Sequence, residues 1–290
     1  EKLSPLSDYQ YKKDLPQYEA IKKEADAQKK ADALLSFIKE RPISRLLLYA
    51  ANDYMESVKP YIAQNDSTKA ISMIEALLAI LPTEKTVADE QIPVGAEEFL
   101  AQHLHPTQAM LQQALLQVYY QADNMPKAAE AAEKLYSMSP NKSLLPVLAD
   151  IYLKMQNLDK YLEIGQKMQA EFPMEEPQGY DTAIKMAQVY LQKQDVANAT
   201  SLLSKVMDVY GDKVPPNVQE PQWNATRAFA YSVLASGIYA TKDYEKAQEL
   251  YEKVAKFDPK REEAYYYIGM SNGRIRILRA PLILLQSALC

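Results

Sequence analysis

The sequence predicts an all-α fold, a solenoid of antiparallel helix pairs, and three observations carry that prediction. Apolar residues recur at i, i+3, i+4 and i+7 over most of the chain, the spacing of helices with one buried stripe. Only 7 of the 290 residues are glycine, too few for a strand-and-turn fold or for glycine-rich phosphate loops. One supersecondary pattern also recurs along the chain. It reads Leu115-Leu116-x-x-Tyr119, then Ala128, Leu135 and Pro140. It returns as Leu148-Ala149-x-x-Tyr152, Tyr161, Met168 and Pro173, and again as Met186-Ala187-x-x-Tyr190, Ala199, Val206 and Gly211. The offsets within the three copies are identical. Each copy describes a helix, a short polar turn, a second helix and a stop.

A fourth copy runs through Tyr231, Leu234-Ala235, Ile238-Tyr239, Ala247, Tyr251, Val254 and Pro259. A weaker one runs through Tyr54, Val58, Tyr61, Ala70, Leu77 and Pro82, and a further start is visible at Ala264-Tyr265-x-x-Ile268-Gly269. Small residues at Ala128, Ala199 and Ala247 let the paired helices approach closely. The prolines end helices because proline has no N–H to continue the hydrogen-bond ladder. A lone pair cannot cover its own apolar stripe, so neighbours are expected to stack.

These residues resemble the tetratricopeptide repeat family. The best match is the stretch from Tyr231 to Pro259, with Ala235 and Ala247 at the two small sites, Tyr251 at the ring site and Pro259 at the stop. Val254 departs from the pattern, which usually has a small residue there. The resemblance implies a right-handed superhelix with repeats near 51–82, 109–141, 142–174, 180–212 and 228–260 and the start of another at 262. Residues 1–50 are expected to form a helical N-terminal cap, with one amphipathic helix over 17–40 stopped at Pro42. Residues 83–106 and 212–222 read as connections, the first holding a helical turn around 96–103 before a helix that starts at Pro106. Residues 273–290 form an atypical apolar tail. Pro281 is expected to break any regular helix there, and the apolar run Leu282-Ile283-Leu284-Leu285 suggests docking or pairing into a homodimer.

Composition narrows the function. The formal net charge of −5 and a pI near 5.3, with basic and acidic residues interleaved, give no nucleic-acid footprint. No apolar run is long enough to span a bilayer. The single cysteine, Cys290, excludes an intrachain disulfide and a Cys-rich metal site. The start Glu1-Lys2-Leu3-Ser4-Pro5 fits either a processed or a trimmed chain, and leans the reading toward a bacterial, exported protein. No nucleophile elbow, HExxH, Walker loop or GxGxxG occurs, so no catalytic residue and no cofactor is assigned. His103-Leu104-His105 could contribute to a metal site, but no spacing supplies the remaining ligands. They read as loop histidines, and no metal is assigned. Four Asn-x-Ser/Thr sequences, at Asn65, Asn141, Asn198 and Asn224, are short enough to arise by chance, and no glycan is assigned.

The resemblance places the first helix of each pair on the concave face. The positions exposed there would be Gln113, Gln117, Tyr120 and Gln121, then Asp150 and Lys154, then Gln188 and Gln192, then Ser232, Ser236 and Tyr239. Amides can bond a peptide backbone whatever its sequence, and Tyr adds apolar area. Some family members clamp the acidic tails of heat-shock chaperones with Lys, Asn and Arg. Here the corresponding positions hold Gln113, Gln117, Val147, Asp181 and Lys185, of which only Lys185 fits. The expected function is a non-enzymatic scaffold or adaptor that binds a protein or peptide. The alternative is a sensor whose superhelix closes on a small molecule or peptide.

Overall fold

A computed structural model of the chain describes residues 5–89 and 95–287, with side chains as far as Arg274. Helix makes up 80% of it, and no strand occurs among the described residues. The chain divides into two compact units, Glu1–Asn157 and Leu158–Cys290.

The first unit contains α1 (Asp8–Lys22), α2 (Ala27–Glu40), α3 (Leu47–Ala63), α4 (Ser67–Ile80), the short α5 (Glu84–Asp89) and α6 (Ala96–Phe99), α7 (His105–Gln121), α8 (Met125–Met138) and α9 (Leu145–Lys154). Consecutive helices pack side by side, with α4 against α7 across the short elements, as a helical solenoid requires. The second unit continues the pattern with α10 (Leu158–Glu171), α11 (Pro177–Gln192), α12 (Val196–Tyr210), α13 (Glu220–Ala240), α14 (Tyr244–Phe257) and α15 (Glu262–Ser287), each packed on the next. The helix ends follow the sequence stops: α8 closes before Pro140, α10 before Pro173 and α14 before Pro259.

Three expectations are corrected. The expected single helix over 17–40 is two helices, and the first begins as early as Asp8. Lys23 and Glu24 close α1 through short backbone bonds to Ala20 and Ile21. Asp26 then caps α2 by accepting from the Lys29 N–H at 2.9 Å. The two histidines are not in a loop: a π-helical turn, Leu100–Leu104, joins α6 to α7 without interruption. At the C-terminus the expected break at Pro281 does not occur. Instead α15 runs unbroken through position 281 to Ser287, so one interior proline costs that helix a hydrogen bond without ending it. The apolar side chains of the tail, on which pairing or docking would depend, lie outside the described residues.

The inter-helix turns share one construction. Asn65, Asp123, Gln156, Gln194 and Lys242 all take the left-handed conformation, with φ between 55° and 68°. After four of them an Asx residue caps the next helix: Asp66, Asn124, Asp195 and Asp243 accept from the Lys69, Lys127, Asn198 and Lys246 N–H groups. The backbone N–H groups of Asp66, Asn124, Asn157 and Asp195 reach back to the carbonyls of Tyr61, Tyr119, Tyr152 and Tyr190 at 2.8–2.9 Å. A left-handed closing turn therefore satisfies the last carbonyls of one helix, while the cap satisfies the first N–H groups of the next.

The small-residue sites behave as the pattern demands. Ala128, Ala199 and Ala247 are fully buried, and so is Val254, the departure from it. Ala247→Leu overfills a closed contact and is expected to cost about 1–3 kcal/mol. Lys246→Ala, one residue away and exposed, is expected to change stability by less than about 0.5 kcal/mol. Equal melting temperatures for the two variants would show that the register is misread.

Tyrosine hydroxyls tie neighbouring helices in the first unit. Tyr18 donates to Asp53 at 2.7 Å, Tyr119 to Glu75 at 2.5 Å, Tyr152 to Glu133, and Tyr54 to the Met73 carbonyl at 3.0 Å. Burial first, and then the neighbouring carboxylates, push Tyr18 and Tyr119 well above the usual phenol range. Burial pushes Tyr54 and Tyr161 up to about 12. A raised folded-state pKa contributes stability that is complete below the unfolded value near 10 and is lost as pH climbs through 12. Alkaline unfolding is therefore expected between those limits, with a late step in the tyrosinate absorbance at its midpoint. A tyrosinate titration complete near pH 10 with the fold intact would contradict it. The N-terminal end is fixed by Asp14, which is buried and accepts from Gln10 at 2.7 Å, Arg41 at 2.6 Å and Ser44 at 2.8 Å. These bonds tie α1 to the α2–α3 connection.

Candidate functional site

In the first unit the expected groove residues converge. Gln113, Gln117 and Gln121 follow one another at intervals of four along α7, and all three are exposed. Tyr120, half-buried, leans toward α9. Its hydroxyl donates to Asp150 Oδ2 at 2.5 Å and accepts from Lys154 Nζ. Lys154 Nζ also sits 4.0 Å from the Tyr120 ring centroid and 3.3 Å from Asp150 Oδ2. Tyr120 of α7 thus closes a cluster with Asp150 and Lys154, which lie four residues apart on α9. The hydrogen bond that Lys154 donates to Tyr120 leads the effects that raise the Lys154 pKa.

Tyr120 and Asp150 of the cluster also line an open trough of about 500 Å³, together with Leu116, Gln117, Gln121, Pro146 and Val147. Its floor is apolar and its rim amide. Pro146 and Val147 reach it because α9 starts early, in the turn set by Asn141 and the short 3-10 element Lys142–Leu144. The sequence had marked Val147 only as a position that does not fit a charged clamp, and had not marked Pro146 at all. The signal available was an apolar Pro-Val pair in the first turn of a first helix, where the groove positions otherwise are polar.

In the second unit the expected residues behave differently. Gln188 and Gln192 are exposed on α11, and Ser236 is exposed on α13. Ser232 is buried at 8% exposure, which corrects its expected place on an open face. Tyr239 is half-buried and packs edge-on against Tyr244 and Tyr267, each at 5.1 Å between centroids. Tyr267 in turn stacks on Tyr251 at 4.9 Å. Tyr239 thus belongs to an aromatic ladder joining α13, α14 and α15, and the run Tyr265-Tyr266-Tyr267 was its visible signal. Helices α11 and α13 touch in their N-terminal halves, where Tyr180 Oη donates to Thr226 Oγ1 at 3.3 Å.

The histidines serve packing. The His103 ring lies 5.6 Å from Phe99, and burial leads the effects that hold its pKa below the usual value. His105 Nε2 pairs with Glu84 at 2.9 Å. Among the described residues no three His, Cys, Asp or Glu side chains gather as a metal site, and no helix is long and apolar enough to cross a membrane.

No family model matches the chain, and no curated protein matches it in sequence. Solved structures do. The Naa15/Naa10 complex bound to HypK-THB matches over 91% of this chain and 35% of that chain, with a TM-score of 0.53 and 13% identity. YrrB, a TPR protein with an unusual peptide-binding site, matches over 81% and 97%, with a TM-score of 0.41 and 16% identity. The C-terminal part of a TPR repeat-containing protein from Cytophaga hutchinsonii matches over 89% and 99%, with a TM-score of 0.43 and 13% identity. The chain has a tetratricopeptide-like fold. The buried small residues Ala128, Ala199 and Ala247 lie on α8, α12 and α14. The trough is presented by α7 and α9.

Proposed function

We propose that the chain is a non-enzymatic binding module that takes a protein segment or peptide on the face formed by α7 and α9. The trough supports this reading: it is open, has an apolar floor, and is edged by side chains that can each donate or accept. A side chain of the partner would enter over Leu116, Pro146 and Val147. The glutamines would bond its backbone, and Tyr120 would supply aromatic area at low entropic cost. The scaffold is already ordered by helix packing, so binding need not order the receptor side.

The test is co-purification from the native host followed by mass spectrometry, repeated with the double variant Gln117→Ala, Tyr120→Ala. Recovery of the partner is expected to fall roughly tenfold, with the far-UV circular dichroism unchanged. Undiminished recovery by the folded variant would move the binding surface away from α7 and α9.

A further inference from the structure

We infer that the trough selects an uncharged, extended segment carrying aliphatic or proline side chains, because the amide ladder of α7, two of whose three glutamines line it, matches an extended backbone and the trough's one lining charge, Asp150, is already paired with Lys154. This inference rests on the proposed reading of α7 and α9 as the binding face.

The charge argument begins with α7. From His105 to Gln121 it contains no Asp, Glu, Lys or Arg. Helix α9 contributes one acid and one base, Asp150 and Lys154. Those two face each other at 3.3 Å, and Tyr120 bonds both. An acidic ligand would have to draw Lys154 away from Asp150 and from the Tyr120 ring. A basic ligand would have to draw Asp150 away from Lys154 and the Tyr120 hydroxyl. Either would also bring its own charge against Leu116, Pro146 and Val147, and the one carboxylate lining the trough, Asp150, is already bonded to Tyr120 and Lys154. A neutral segment meets neither cost.

The geometric argument concerns spacing. Residues four apart on a helix are separated by about 6 Å along its axis. Alternate residues of an extended chain are separated by about 6.6 Å. Gln113, Gln117 and Gln121 therefore form a ladder whose step nearly equals the backbone repeat of an extended peptide. Each amide offers both a donor and an acceptor to that backbone. Side chains on alternate positions of the peptide would then face the floor, and Leu116, Pro146 and Val147 favour branched aliphatic groups or proline there.

Three end-capped synthetic peptides of about ten residues, long enough to span the ladder, test this by fluorescence anisotropy on the full chain. One alternates Asn with Leu and Pro; the second replaces each Asn by Asp, the third by Lys. The neutral peptide is expected to bind at least about tenfold more tightly than either charged one. Its affinity is expected to change less than about twofold between about 0.05 M and about 0.5 M salt. Val147→Asp is expected to weaken the neutral peptide roughly tenfold. Lys154→Met is expected to free Asp150 and confer salt-sensitive binding of the Lys peptide. Tighter binding of either charged peptide to the unmodified chain overturns the inference. So does failure of all three peptides to bind. In both cases the wider reading stands if the Gln117→Ala, Tyr120→Ala variant still loses the native partner, and falls if it does not.

Discussion

Gly179→Ala is expected to destabilise the second unit by about 3 kcal/mol, a large effect for one added methyl group. Gly179 is buried in the first turn of α11. A Cβ there would lie 2.0 Å from the Pro173 carbonyl oxygen, 2.6 Å from its carbon and 2.7 Å from the Phe172 carbonyl oxygen. These are backbone atoms with no rotamer to change. The Pro173 carbonyl is also held, since it accepts from the Glu176 N–H at 3.0 Å, while the Phe172 N–H is bonded to Met168 at 2.8 Å. The connection from α10 would have to move as a body, and buried Phe172 would move with it. Two other glycines set the scale. At Gly165 the nearest atom to a Cβ is the Met186 sulfur at 2.7 Å, the end of a flexible side chain. At Gly237 it is Thr200 Oγ1 at 3.8 Å, an ordinary contact. Gly237→Ala is therefore expected to be neutral or stabilising by up to about 1 kcal/mol, through helix propensity alone. Urea unfolding followed by far-UV circular dichroism ranks the three. If Gly179→Ala unfolds at the same urea concentration as Gly237→Ala, the close approach at Pro173 is not as described.

What the sequence could show about this fold depended on which physical signal each element carries. The helix pairs were legible because burial and closing prolines recur at fixed offsets, and Tyr119, Tyr152 and Tyr190 mark equivalent turns. The N-terminal helices were misjoined because the boundary at 23–26 is set by Asp26. A single Asx cap within a Lys/Glu/Ala-rich stretch leaves the composition on either side unchanged. The left-handed turn residues were missed because they are Asn, Asp, Gln and Lys rather than glycine, so no residue announced the conformation. Their signal was the Asx residue that immediately follows. The continuity of α15 ran against the usual meaning of proline, which reports a lost hydrogen bond and not necessarily a helix end.

The site was legible in part. Periodicity placed Gln113, Gln117 and Gln121 on one exposed face, since residues four apart share a face of any helix. It could not show that Tyr120, Asp150 and Lys154 close on one another, because that contact joins two helices and depends on how they pack. It misplaced Ser232, which shares a face of α13 with the exposed Ser236 but is covered. In Tyr239 it saw an open groove ring where the packing of α13, α14 and α15 half-buries it against Tyr244 and Tyr267.

The largest single loss is expected from Trp223→Ala, at about 3–5 kcal/mol. Trp223 is the only tryptophan of the chain, and it is fully buried near the start of α13. It meets Tyr210 edge-on at 5.9 Å and Tyr180 at 6.1 Å, and those two meet each other at 5.5 Å. The three rings come from α11, α12 and α13, so one aromatic cluster joins three consecutive helices. Tyr210 extends it by donating to the Met174 carbonyl at 2.7 Å. Arg227, one turn further along α13, lies over the Phe257 ring at 3.8 Å and the Trp223 ring at 5.7 Å, which carries the cluster toward α14. Truncation to alanine removes the ring all these groups pack on, and the edge-to-face contacts add to the cost of the cavity. Trp223→Phe separates the two contributions. It keeps an aromatic ring and forfeits no hydrogen bond, because the indole Nε1 has no partner among the described residues. A cost of about 1–2 kcal/mol is expected for it, from lost volume alone. The readout must be far-UV circular dichroism, since both variants remove the only indole fluorophore. Were Trp223→Ala to unfold at the same urea concentration as Lys246→Ala, the three rings could not be the core of the second unit.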